Sequence, residues 1–171
     1  MQPRCLLFVT AALFILMSIA YLCCQHKQQQ PNSELKNNNN NMFEKQIINP
    51  PNAPAAIGPY SQAVWAGNTL YLSGQIALDP QTSQLIVTEG IATETRRVMD
   101  NIAAVLQAAN LTWANVVKAT IFLTTMDNYA TVNTVYGSYF EGITPPAREA
   151  VAVAALPRQV NVEISIIAAI K

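Results

Sequence analysis

The sequence predicts an α+β domain over residues 52–171: a mixed six-stranded sheet with two helices on one face. Three observations carry that expectation. Two β-prone runs flank a Gly67-Asn68 pair, which is the turn chemistry of a hairpin. Apolar residues recur at three- and four-residue steps from Ile91 to Ala109, the period of a helix with one buried face. Pro145-Pro146 forbids continuation of a second helical stretch and is followed by two further β-prone runs.

Each element follows in order. Residues 61–65 (SQAVW) lead into the Gly67-Asn68 turn, and residues 69–76 (TLYLSGQI) return from it. Asp79-Pro80 opens a loop, and Leu85-Ile86-Val87 is expected as a short edge strand. Between Gly90 and Asn110 the residues Ile91, Val98, Ile102, Val105, Leu106 and Ala109 share a face, with Asn110 suited to the stop. Residues 116–124 (VVKATIFLT) read as a β-branched strand. Asp127 is placed to cap a second helix in which Tyr129, Val132, Asn133, Tyr136 and Phe140 share a face. Residues 147–153 and 160–169 supply the last strands, parted by a turn around Leu156-Pro157.

Ahead of this domain the text changes twice. Residues 1–24 contain about twenty charge-free residues from Cys5 onward, and such a helix, at ~1.5 Å per residue, just spans a hydrocarbon core of ~30 Å. Arg4 supplies a short positive region and Ser18-Ile19-Ala20 an acceptable cleavage site, so a cleaved signal peptide competes with an uncleaved anchor through residues 5–24. Leu22 before Cys23 argues against a lipoprotein signal. Residues 25–51 form a polar linker, of which 25–41 (QHKQQQPNSELKNNNNN) is too poor in apolar surface to offset the entropy of ordering. The expected location is outside the cytoplasm, exported or membrane-anchored, and periplasmic in a Gram-negative cell.

Residue inventory excludes several chemistries. Residues 52–171 hold six basic and eight acidic residues, a formal −2, with no basic cluster beyond Arg96-Arg97. Phosphate backbones are gripped through clustered Lys and Arg, so nucleic acid is not expected as a partner. Cys5, Cys23, Cys24 and the single His26 all lie outside the domain. A disulfide framework, a Cys/His metal site and a His-based nucleophilic pair are therefore ruled out within it, and no metal is expected.

Four segments together carry a resemblance: residues 53–62 (APAAIGPYSQ), 72–76 (LSGQI), 129–133 (YATVN), and 146–148 (PAR) with 162–164 (VEI) following. The most specific is the Pro-Ala-Arg run, whose arginine stands fifteen residues before a strand glutamate. In order and spacing the set resembles the RidA/YjgF family, over roughly 120 residues. The resemblance implies a chorismate-mutase-like fold assembled as a homotrimer, with three clefts between subunits. It implies cofactor-free hydrolytic deamination of reactive 2-enamines and 2-imines, such as 2-aminoacrylate or 2-iminopropanoate, to the 2-keto acid and ammonia. The expected partner is thus a small imino or enamino acid.

The matching positions suit that chemistry. Arg148 stands where a planar guanidinium would grip the substrate carboxylate bidentately; on residue type alone a surface ion pair with Glu149 is the commoner reading, and the Pro-Ala-Arg context reverses that preference. Glu163 lies in an apolar strand, where a carboxylate is costly unless hydrogen-bonded or functional, and its implied role is to activate the attacking water. The competing reading is an outward-facing strand residue. Tyr60 and Ser73 match positions that offer hydroxyls to substrate or water, although a tyrosine at an edge and a serine before a turn need no function. Gly74 and Gln75 complete a loop whose N–H groups can approach a carboxylate. Asn133 is expected on the inner face of the second helix, as a substrate contact or as a tie from helix to sheet. The implied catalytic set is Arg148, Glu163, Tyr60 and Ser73, and the substrate contacts are Arg148, Gly74, Gln75 and Asn133.

Two positions depart from the family pattern: Ala150 replaces a cysteine common two residues after the arginine, and Ser165 replaces an acidic residue often found after the glutamate. A non-catalytic trimeric ligand-binding domain is the alternative, and a measured deaminase rate discriminates it. An endoribonuclease or translation inhibitor ranks third, given the acidic domain without histidine.

Overall fold

The computed structural model describes residues 45–171. The sheet begins at once with β1 (Gln46–Ile48), ahead of Asn52. Next come β2 (Ala63–Ala66) and β3 (Thr69–Gln75), joined through Gly67 at φ 58°, a left-handed turn that glycine adopts without strain. Helix α1 (Ile91–Ala108) follows, then β4 (Val116–Leu123), helix α2 (Tyr129–Ser138), β5 (Ala147–Ala152) and β6 (Val162–Ala169). The strand order is β1-β2-β3-β6-β4-β5, antiparallel throughout except for the parallel β4–β5 pair.

Strand alternation explains the two faces. In β6 the residues Val162, Ile164, Ile166 and Ala168 are buried, and their partners Leu72, Ala119, Ile121 and Leu123 are buried with them. This face receives α1, whose Val98, Met99, Ile102, Val105 and Leu106 are fully enclosed. The opposite face carries Tyr71, Ser73, Lys118, Thr120, Glu163 and Ser165, none of them buried. One irregularity matters for function. Leu72 pairs with Ile166 but Gln75 with Ile164, so Ser73 and Gly74 together oppose Ser165 in a β-bulge.

Two buried polar side chains of α1 tie the helix to loops at the sheet's end. Asn101 donates to the carbonyls of Ile76 (3.0 Å) and Leu78 (2.8 Å). Glu94 accepts from the start of β6.

The expected α+β sheet of six strands with two helices is present, with one exchange of members. Leu85-Ile86-Val87 is not a strand: Leu85 makes only an isolated bridge to Leu78, between Ser83 at φ 58° and Gly90 at φ 90°. The sixth strand is β1 instead, paired to β2. Asn110 ends α1 as expected, at φ 58°. Asp127 does not cap α2. Thr125 accepts the Asp127 N–H (3.2 Å) and starts a 3₁₀ turn, Met126–Asn128, from which α2 continues. Asn133 is not on the inner face, because Val132, Val135 and Tyr136 take the buried positions and rotate it outward.

The expected location outside the cytoplasm is also corrected. Among the described residues no helix is long and apolar enough to cross a membrane; α1 has the length but carries Glu94, Arg96, Arg97 and Asp100. The signal peptide or anchor of residues 1–24 and the tether of 25–41 lie outside the described residues.

Candidate active site

All but one of the residues singled out by sequence fall into two separate places. The first is a cavity of about 250 Å³ at the sheet's open face, lined by Ile57, Tyr60, Ser73, Gly74, Ile76, Pro157 and Glu163. The second is a shallower cavity of about 410 Å³ lined by Asn133, Tyr136, Gly137, Pro145, Pro146 and Arg148.

The β3 bulge and β6 build the first. Glu163 reaches it from the open face of β6 and has no hydrogen-bond partner among the described residues. Burial among apolar walls pushes its carboxyl above the usual glutamate range. Gly74 is a glycine for a visible reason: a Cβ there would stand 2.7 Å from Glu163 Cδ and overlap its Oε1. Ser73 Oγ donates to the Ser61 carbonyl (2.7 Å), so its proton is committed and its lone pairs are left to accept. Tyr60 is the complement. Its hydroxyl accepts from Ile57 N–H (3.2 Å) and keeps its own proton to donate.

The second cavity is built around a cation. Arg148 pairs with Ala119 across β4–β5, which aims it toward the helix layer, whereas Glu163 pairs with Phe122 and points to the open face. Arg148 Nη2 donates to Tyr129 OH (3.2 Å), and its guanidinium lies 5.0 Å from the Tyr136 ring and 5.8 Å from the Tyr129 ring. The ion pair with Glu149 that sequence allowed does not form. Glu149 turns to the other face, to Lys118 and Thr120 (2.7 Å), and these partners hold its carboxyl below the usual range. Tyr136 OH is buried without a hydrogen-bond partner among the described residues, and burial raises it to about 12 against the opposing field of Arg148. Asn133 joins Arg148 here, exposed on the cavity wall.

Gln75 joins neither group. It is buried, its amide donates to the Ser73 carbonyl (3.1 Å), and it lines a narrow space behind the Glu163 cavity. Sequence reasoning placed Ile57, Ile76 and Pro157 in motif segments and a turn but gave none of them a part in the site, where they are the apolar walls. It quoted Tyr129 and Tyr136 as one helical face without foreseeing that the guanidinium would lie between them. Among the described residues no group of His, Cys, Asp and Glu is arranged to hold a metal ion.

Comparison with known proteins completes the picture. Residues 50–170 match the family described as Endoribonuclease L-PSP. A mouse 2-iminobutanoate/2-iminopropanoate deaminase is 48% identical over 124 residues, covering 72% of this chain and 90% of its own. Among solved structures, a Rid-family protein of Yersinia pestis superposes with TM-score 0.72 at 47% identity, covering 74% of this chain and all of that one. Escherichia coli TdcF with bound serine superposes with TM-score 0.70 at 38% identity, over 74% and 99% of the two chains. With the sheet order, the bulge at Gly74 and the Arg148 and Glu163 positions beside these likenesses, the chain belongs to the RidA/YjgF family of imine deaminases, the family also described as endoribonuclease L-PSP.

Proposed function

We propose that this protein is a cofactor-free hydrolase that converts small 2-imino and 2-enamino acids to 2-keto acids and ammonia. One observation carries the reading: a half-buried, unpartnered Glu163 carboxyl shares a cavity with one hydroxyl poised to accept and another poised to donate. The balanced reaction is R–C(=NH)–COO⁻ plus water giving R–CO–COO⁻ plus ammonia. Ionised Glu163 takes a proton as water adds to the imine carbon, and returns it to nitrogen to give the carbinolamine. It then takes the new hydroxyl's proton and delivers it to the departing amine, so that C–N breaks as C=O forms. A raised carboxyl pKa suits a group that must take and give the same proton. The deaminase names of relatives near half identity support this reading, as does the serine held by TdcF, a small molecule with the required carboxylate.

Arg148 would bind the carboxylate, but not in its own subunit's Glu163 cavity. The two side chains leave opposite faces of the sheet with β4 between their strands, and an acid of three or four carbons does not reach around a sheet. A second copy bringing its Arg148 to this copy's Glu163 resolves the mismatch, and a closed homotrimer repeats that contact three times. The acidic charge and the lack of histidine in residues 52–171 speak against RNA cleavage.

The test is ammonia and keto-acid release by the full chain on enzymatically generated imines, with Arg148→Ala and Glu163→Gln assayed alone and co-assembled. Each alone should be impaired. Random mixing of the two should restore about one quarter of the sites, those pairing an intact Arg148 with a neighbour's intact Glu163. Absence of turnover in the unmutated protein, with keto-acid binding retained, would make it a binding domain.

A further inference from the structure

Glu94 is fully buried in the first turn of α1 and takes no part in either cavity. A carboxylate in such a place persists only when donors surround it, and these are identifiable. Oε1 accepts from Asn161 N–H (2.6 Å) and Val162 N–H (3.3 Å), and Oε2 accepts from Asn161 Nδ2 (2.9 Å). No Lys or Arg neutralises it within salt-bridge distance among the described residues. Every donor comes from the two residues that immediately precede Glu163.

The segment held in this way is strained. Pro157–Gln159 form a 3₁₀ turn in which Arg158 (φ 55°) and Gln159 (φ 60°) are consecutive left-handed residues, neither of them glycine. Such a conformation survives only where its surroundings over-determine it. One end of the segment is Pro157, a wall of the Glu163 cavity, and the other is Asn161. There Glu94 meets a second tie, Thr124 N–H to the Asn161 carbonyl (3.1 Å). Asn101, two turns further along α1, pins residues 76–78 and with them Ile76, on the cavity's far side.

We propose that Glu94 is a positioning residue for the reaction. By clamping Asn161 and Val162 it fixes the phase at which β6 begins, and so keeps Glu163 on the open face against Gly74 while holding Pro157 in place. The phase matters because a slip of one residue in a strand moves every side chain to the other face. This inference rests on the hydrolase reading above.

The experiment measures kcat, KM and the acid limb of the pH profile for full-chain Glu94→Gln, Glu163→Gln and the double variant, with melting temperatures on the same samples. Glu94→Gln keeps the shape but sets an NH₂ group against donors of Asn161. Its kcat should fall about 10-fold or more, because small misplacements of a reacting group are costly. KM should change less than about 2-fold, the carboxylate grip lying elsewhere, and the acid limb should move. In the Glu163→Gln background the same substitution should change kcat by less than about 2-fold, the signature of action through Glu163. An undiminished effect there, or a wild-type kcat for Glu94→Gln, overturns the proposal. Wild-type kcat in Glu163→Gln is a separate result: it removes Glu163 as the acid–base group of the reading above, and this inference with it, whereas absence of turnover in the unmutated protein removes the hydrolase reading itself. Should Glu94→Gln not fold, Asn161→Ala removes the Oε2 bond, together with the 3.4 Å bond from Thr124 Oγ1, and keeps both backbone bonds to Oε1. Thr124→Val serves as the control for the second loss, and the same cycle against Glu163→Gln decides the matter.

Discussion

The two cavities solve opposite electrostatic problems with different materials. Within one subunit the Glu163 cavity raises the energy of a charge: apolar walls, no counter-ion among the described residues, and a backbone bulge so close that only glycine fits beside the carboxyl. The Arg148 cavity lowers the energy of a charge, with two aromatic rings and a phenol oxygen around a guanidinium that loses little solvation in leaving bulk water. The first arrangement suits a group that must change protonation during a reaction. The second suits one that must never change it. Substitutions should therefore fail differently in the two places: in turnover at the first, in affinity at the second.

The largest effect is expected at Glu163. Glu163→Gln keeps volume and hydrogen-bonding shape but cannot take a proton from water, and general acid–base assistance is worth roughly 10²- to 10⁴-fold. Steady-state kinetics should show that loss in kcat, with KM nearly unchanged. Gly74→Ala should imitate it, since its Cβ occupies the carboxyl's place. A Glu163→Gln enzyme as fast as wild type would dissolve the distinction between the cavities.

Arg148→Ala should come next. Charge-assisted hydrogen bonds to a carboxylate are worth ~1.5–3 kcal/mol, which translates into about 10- to 100-fold in kcat/KM. Arg148→Lys should recover only part, because an ammonium keeps the charge and loses the planar fork. Saturation curves separate the cases: the loss should be visible in KM here, and not at Glu163.

A smaller effect is expected at Tyr129. Tyr129→Phe retains the ring near Arg148 and deletes the 3.2 Å hydrogen bond to it, so KM should rise about 2- to 10-fold, the range of a single net hydrogen bond. With Arg148 already replaced by Ala, the same change should have no effect on KM. An unchanged KM in Tyr129→Phe would mean that Tyr136 alone orients the guanidinium.

What sequence revealed, and what it did not, follows the range of the signals. Long periodic elements were legible: α1 from its 3.6-residue repeat, β4 and β6 from their β-branched runs, the hairpin from Gly67-Asn68. Three-residue elements were not, because Gln46–Ile48 and Leu85-Ile86-Val87 are equally plausible strands, and only the availability of a partner edge decides between them. Site residues were legible as a set but not as a geometry. Glu163, Ser73, Gly74 and Tyr60 do meet; that Arg148 turns to the other face depends on β4–β5 register, which no local pattern encodes. Glu94 was invisible for the same reason, since a carboxylate in a helix's first turn reads as a favourable charge there until its long-range partners are known.

The smallest effect concerns stability, and it tests whether the Glu163 cavity strains its own carboxyl. Burial raises the folded-state pKa above the unfolded value of ~4.3. A carboxyl of this kind binds its proton more tightly when folded, so between the unfolded and folded pKa values the native state carries more protons than the unfolded one. Stability then falls as pH rises through that window, the reverse of a salt-bridged carboxylate, and the penalty is fully present above the folded pKa. Glu163→Gln removes the ionisation and with it the penalty. Its melting temperature should match that of the unmutated protein below pH 4 and exceed it modestly at pH 7, half-exposure limiting the difference. Glu149 supplies the internal contrast. Its carboxyl is held down by Lys118 and Thr120, so Glu149→Gln should give no stability gain on raising the pH. Equal melting temperatures for Glu163→Gln and the unmutated protein at both pH values would show that the cavity does not destabilise the charge. Glu163 would then lack the raised affinity for a proton that its proposed role in the first cavity requires.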